Sequence, residues 1–340
     1  MVTNVAIACQ GGGSHTAFTA GALRELLPPL DASPDHRLVG LSGTSGGALS
    51  ALAAWYGLRT GGPDRACTLL RRAWTTLCAE DLVDRWANDW AVAGSRLANS
   101  GAPIAEVSPY YTPAALWGQR RLRRVLVDLV EFDALPELAG EDGVPQLQVG
   151  TVDVNGGRFE TFGAAELTPD VLLASMAVPE LFRAVVLDGH DHGHAHWDGL
   201  FSQNPPIQEL MVVPPARKPD ELWVLQINPQ EREDVPTALA DIADRRNELS
   251  GNLSLNQELR FVEQVNEWVE AGYLPVERFA HTAVHRVALG QSFGVSSKLD
   301  RSPEFIERLV GLGETQARAF LDGHEALSPT PEEGGANGGD

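Results

Sequence analysis

Twice within its first 55 residues the chain runs from a short apolar stretch through glycines straight into a helical pattern. Val5-Ala6-Ile7-Ala8 leads to Gly11-Gly12-Gly13 and a helix predicted from Thr16. Leu38-Val39-Gly40-Leu41 leads to Gly43-Thr44-Ser45-Gly46-Gly47 and the helical run ALSALAAWYG. Two strand–glycine–helix units so close together constrain the fold to an α/β layer arrangement. If the two strands are parallel neighbours, both helices bring their partially positive N-terminal ends to the same edge of one sheet.

The second unit is a G-x-S-x-G arrangement. Strand, sharp turn, serine and helix together form the setting in which a hydroxyl is lifted into a cleft as a nucleophile. Ser45 is that hydroxyl, with Gly43 and Gly47 as the glycines of the elbow. In the first unit, Gly11, Gly12 and Gly13 have no Cβ, so their backbone N–H groups can turn outward, which suits a developing oxyanion. Either motif alone is also ordinary turn chemistry; the pair supplies an attacker and a place for the charge that it creates.

The composition narrows the setting. The chain has 340 residues, 43% of them apolar, enough for one large core or two modest ones. No apolar run reaches the ~18 residues of a membrane span. MVTNVAIACQ has no basic flank and enters a strand at once, so no signal peptide is expected. Cys9, Cys67 and Cys78 are odd in number and lack metal-type spacing, as for buried thiols in a reducing compartment. A net charge of −20 argues against nucleic-acid partners and against electrostatic attraction to anionic membranes, leaving membrane contact at most peripheral. The expected setting is cytoplasmic. Residues 329–340 read as a disordered acidic tail, and 1–328 as a single domain.

Strand patterns fall at Val5–Ala8, Leu38–Leu41, Gln146–Val154, Phe159–Phe162, Ala184–Leu187, Leu222–Ile227 and Val284–Leu289. Asn155-Gly156 marks a hairpin. Helices are predicted at Thr16–Leu27, Gly46–Tyr56, Asp64–Ala79, Arg120–Val130, Pro236–Glu248, Asn256–Ala271 and Pro303–Leu321. Residues 81–118 stand apart. Trp86, Trp90, Tyr110, Tyr111 and Trp117 lie among Ser, Gly and Pro with weak periodicity, which reads as a cap on the core or a lid over an apolar acyl pocket.

A nucleophilic serine needs a proton acceptor. The order Ser…Asp…His would point to His281 or His285, both on a β-patterned run that gives them an ordinary strand or surface role. The rival is Asp198 in HAHWDGLFSQNPP, at the end of an apolar strand and before a Pro-rich turn. Beside it, His190, His192, His194 and His196 recur at every second residue. Imidazoles and carboxylates are good zinc ligands, yet alternate residues of one strand cannot all converge on one ion. A solvated hairpin accounts for the run as well.

GGGSHTAFTAG, GTSGG, ASMAVPELF and WDGLFSQNPP resemble, in order and rough spacing, the motifs of the patatin-like phospholipases. The resemblance covers most of residues 4–321. It implies a three-layer α/β/α fold around a central, mostly parallel sheet, and hydrolysis of lipid acyl esters without cofactor or metal. It also implies Ser45 as nucleophile, Asp198 as its acid/base partner, and Gly11, Gly12 and Gly13 as the oxyanion loop. Two departures stand out: His15 and Thr16 occupy positions where the family usually has Arg and Gly. Three other readings stay open. One is an intracellular esterase or polyester depolymerase acting on short acyl groups. The others are a metal-dependent hydrolase at the histidine run and a noncatalytic lipid-binding protein.

Overall fold

The computed structural model describes residues 2–79, 82–99, 107–187 and 193–324. Within them, eight strands share one sheet: β1 (Thr3–Cys9), β2 (His36–Thr44), β3 (Gln146–Asp153), β4 (Arg158–Gly163), β5 (Val185–Val186), β6 (Ala195–Asp198), β7 (Glu221–Gln226) and β8 (Ala283–Ala288). The helices are α1 (Ala17–Ala32), α2 (Gly46–Leu77), α3 (Leu82–Asn99), α4 (Pro113–Leu129), α5 (Leu135–Ala139), α6 (Pro169–Ser175), α7 (Gln208–Met211), α8 (Leu239–Glu270) and α9 (Pro303–Asp322). From β8 through β7, β1 and β2 to β3 the pairing is parallel. β4, β5 and β6 add antiparallel pairs. The expected α/β architecture with a mostly parallel sheet is therefore what the chain adopts.

Strand alternation sorts side chains into two layers. Val5, Ile7 and Cys9 of β1 face a large core shared with α1, α2 and α9, while Ala6 and Ala8 face a smaller one completed by Leu255, Leu259 and Val262 of α8. Both faces of β1 are buried, which explains why its sequence is a continuous apolar run rather than an alternating one. Cys9 and Cys78 are buried and Cys67 half-buried, all as free thiols. No helix among the described residues is long and apolar enough to cross a membrane.

Several predicted boundaries move. α1 continues through Pro28 and Pro29 because Leu30 extends the buried stripe of Leu23, Leu26 and Leu27. The two helices predicted between Gly46 and Ala79 form one element bent at Gly61-Gly62, where Gly62 has φ +71°. The break predicted after Glu248 is absent. Gly251, Asn252 and Leu255 are buried, so the turn-forming residues of that stretch are packed inside α8.

Within the 81–118 region, residues 81 and 100–106 and the side chains of Trp86 and Trp90 lie outside the described residues. Leu82–Asn99 is a helix, and Tyr110, Tyr111 and Trp117 are exposed rather than packed over a pocket. The acidic tail predicted for 329–340 lies outside the described residues.

Candidate active site

Strand β3 acts as a ruler that brings distant residues together. One of its edges is taken by β4, paired from Gln148 to Asp153. Along the other edge β2 pairs with Gln146–Gly150, ending with Thr44 opposite Gly150. β6 arrives antiparallel on that same edge where β2 stops, with Asp198 opposite Thr151. The C-terminal ends of β2 and β6 therefore meet on adjacent residues of β3. Ser45, one residue past β2, and Asp198, the last residue of β6, line one cleft of about 280 Å³.

Ser45 has φ 57° and ψ −129°, the only positive φ of a non-glycine residue among those described. Such a conformation costs about 1–3 kcal/mol and persists only where its surroundings enforce it. The enforcement is visible. A Cβ on Gly43 would lie 2.5 Å from the Gly47 carbonyl, so the strand and the first turn of α2 approach too closely for a side chain there. The Ser45 N–H donates to Ser175 Oγ at 3.0 Å, and the Ser175 hydroxyl donates to the Gly150 carbonyl at 2.7 Å. Ser175, at the end of α6, thus ties the elbow to β3.

Asp198 is buried. Its Oδ1 accepts the Leu200 N–H at 2.9 Å, while Oδ2 is buried without a hydrogen-bond partner. Burial pushes the carboxyl up to about 7, against the Leu200 N–H and the Ser45 hydroxyl, which favour the charged form; Glu180 adds a further upward push. Serine and carboxyl act on each other across the cleft, but no closed hydrogen bond joins them.

The glycine loop divides its labour. Gly11 N–H donates to Asn204 Oδ1 at 2.7 Å, and the Gly11 carbonyl accepts from Asn204 Nδ2 and Asn228 Nδ2. Its N–H is therefore occupied, which narrows the predicted oxyanion set to the Gly12 and Gly13 donors, also in the cleft lining. Gly13 has φ 60° and sits where a Cβ would come within 2.6 Å of the Lys298 carbonyl. A side chain would be strained there on both counts.

His15 turns away from this lining. Its Nε2 lies 2.7 Å from Ser297 Oγ, and its ring packs on Phe293 and Phe305. Burial, then the nearby Lys298 ammonium, push its pKa down to about 3, so it is a neutral packing residue at ordinary pH. Thr16 adopts ordinary helical φ/ψ and its hydroxyl donates to the Gly13 carbonyl. α8 supplies much of the opposite wall through Ala240, Ala243 and Asn247. It also carries Asp244 and Glu248, which pair with Lys298 at 2.6 and 2.9 Å and with Arg232 at 2.6 and 2.7 Å. α3 contributes Ser95.

The rival site residues are dispersed. His194 pairs with Asp153 and His196 with Glu160, so these two rings serve different carboxylates and do not converge; His190 and His192 lie outside the described residues. His281 pairs with Glu270, and His285 lies on the edge strand β8; neither lines the cleft. Sequence reasoning singled out no role for Ser175, Asn204 or Asn228. The first sits inside ASMAVPELF and the second inside WDGLFSQNPP, so the motifs pointed to the segments without revealing what the side chains do.

The family model of the patatin-like phospholipases matches residues 7–211, which hold Ser45, Asp198 and the glycine loop. The chain belongs to the patatin-like phospholipase family, a class of hydrolases acting on the ester bonds of lipids. Among solved structures it is similar to VipD from Legionella pneumophila, with 13% identity and a TM-score of 0.44 over 95% of this chain and 67% of that one. It is also similar to a chain of the heterodimeric ExoU–SpcU complex from the type III secretion system of Pseudomonas aeruginosa. There the identity is 17% and the TM-score 0.34, over 93% of this chain and 52% of that one. This chain thus spans about two thirds of the one and half of the other. Comparison with curated proteins finds no match.

Proposed function

We propose that the protein is a serine acyl hydrolase that cleaves carboxylic esters of lipid type through Ser45 and Asp198. What carries this reading is the meeting of β2 and β6 on one edge of β3, with a strained serine and a buried carboxyl in the same cleft. Asp198, as its carboxylate, takes the Ser45 proton while Oγ attacks the ester carbonyl. The Gly12 and Gly13 N–H groups receive the oxyanion. Asp198 then returns its proton to the leaving alkoxide. In the second half, Asp198 takes a proton from water as it attacks the acyl-serine, then gives that proton to the departing Ser45 Oγ, which releases the acid and restores both residues. A carboxyl titrating near 7 is matched to both directions of that transfer, as one near 4 would not be.

The same reading treats 1–328 as one hydrolase unit, because the cleft draws on residues from Gly11 to Leu299. One observation favours a narrower substrate. The cleft volume of about 280 Å³ lies at the lower end for ligand pockets, which suits a short acyl group or the first part of a longer one. The test is a panel of acyl esters graded by chain length, with wild type, Ser45→Ala and Asp198→Ala. Loss of hydrolysis in both variants with folding retained supports the pair. Asp198→Ala keeping more than a few per cent of activity would rule it out.

A further inference from the structure

We propose that Glu221, His285 and His324 form a binding site for one divalent cation of the zinc class, which fastens the end of α9 to the edge of the sheet. The inference is independent of the hydrolase reading. All three residues lie beyond the stretch matched by the family model, and none lines the cleft. Glu221 opens β7, at the end of the parallel strands opposite to the one that carries Ser45.

The three donors come from three elements that the fold holds in register. Glu221 and Trp223 lie on the same face of β7 by strand periodicity, and His285 of β8 stands opposite Trp223 in the parallel ladder. His324 lies just past α9, its N–H bonded to the Leu321 carbonyl at 2.8 Å. Glu221 Oε2 is 3.8 Å from His285 Nε2 and 3.5 Å from His324 Nε2. One ligand atom from each residue lies within 4.8 Å of the other two. In a tetrahedral zinc site with bonds of about 2.0–2.1 Å, donor atoms are about 3.3–3.5 Å apart. The two carboxylate–imidazole distances are already near that spacing, and side-chain rotation that draws the widest pair in by up to about 1.4 Å would close the set around an ion, with a fourth position left for water.

The surroundings fit such a role. Trp223 Nε1 donates to Glu221 Oε2 at 2.7 Å, the kind of outer hydrogen bond that orients a ligating carboxylate. The His324 ring is seated against Phe320 at 4.3 Å between centroids, and His285 against His324 at 4.8 Å. Two imidazoles and one carboxylate are a borderline donor set of the type that zinc prefers over the harder magnesium or calcium.

The test uses tag-free full-length protein, dialysed against chelator and titrated with Zn²⁺ alone, with bound metal measured by elemental analysis and thermal unfolding followed in parallel. Wild type is expected to take up one zinc per chain and to unfold at a higher temperature with it. His285→Ala and His324→Ala should each weaken binding by at least the ~10–100-fold that loss of an outer partner costs, and should lose the thermal shift. Co²⁺ in place of zinc should give wild type the visible absorption of a tetrahedral site. The His190→Ala/His192→Ala double variant should bind as wild type does. Stoichiometric zinc lost in that double variant but kept in His324→Ala would overturn the proposal, as would no stoichiometric uptake by wild type.

Discussion

Two carboxylic acids in this molecule, one buried and one half-buried, look alike but have different neighbours. Asp198 and Glu258 are each pushed up to about 7 by burial, and each has one oxygen bonded to backbone N–H and one buried without a partner. Glu258 even faces the larger cavity, about 580 Å³ against about 280 Å³. Its bonded oxygen accepts the N–H groups of Ile207 and Gln208, both at 2.9 Å, and so caps the start of α7. Among the described residues, no hydroxyl strained into position and no turn of glycine amides stands beside it. A raised pKa in a cavity is common to structural and catalytic groups; what separates these two is the strained serine in the cleft of one of them.

That contrast can be broken by isosteric replacement. Asp198→Asn should lower ester hydrolysis by about 10²–10⁴-fold, the usual contribution of a positioned general base. Glu258→Gln should leave it within about twofold. Equal losses in kcat/KM in the two folded variants would remove the distinction. Next in size is Ser175→Ala, which strips the Ser45 N–H and the Gly150 carbonyl of their partner. Leaving such groups unpaired costs about 1–3 kcal/mol, so the same assay should register a loss of about 5–150-fold, mainly in kcat.

The pH dependence sharpens the comparison further. Activity should rise with pH through about 7 as Asp198 ionises, and that limb should vanish in the residual rate of Asp198→Asn. Stability moves the other way. Folded Glu258 keeps its proton to about 7, whereas the unfolded chain releases it near the ordinary value of 4.5. Over that window the folded state binds more protons, so its stability falls as pH rises. Glu258→Gln should therefore be more stable than wild type at pH 8, by on the order of 1–3 kcal/mol, and nearly equal to it at pH 4. Denaturant melts at the two pH values measure the difference, and a gain of the same size at both would contradict it.

The central strands were legible because both-face burial writes an uninterrupted apolar run, as in β1 and β7. The sharp turn at Ser45 was legible because an elbow needs glycines at fixed offsets. Asp198 was weaker: its local pattern is also that of a turn aspartate, and the resemblance to the family raised it above the late histidines. Hidden from the sequence were the long-range hydrogen bonds. Asn204 reaches Gly11 across 193 residues and occupies an amide that the loop pattern assigns to the oxyanion. α8 misled in the opposite sense, since Gly251 and Asn252 have the composition of a break but are held inside a helix by packing. The aromatics at 110–117 carried an apolar signal that the fold leaves at the surface.

The proposed chemistry rests on one hydroxyl activated by one buried carboxyl. Its most direct test is the rate at which a fluorophosphonate probe modifies the intact chain, with the adduct mapped by peptide mass spectrometry. A single adduct on Ser45 is expected, forming faster as pH rises through about 7, and slowed by orders of magnitude in Asp198→Asn. An adduct on another residue, or equal rates in wild type and Asp198→Asn, would contradict it.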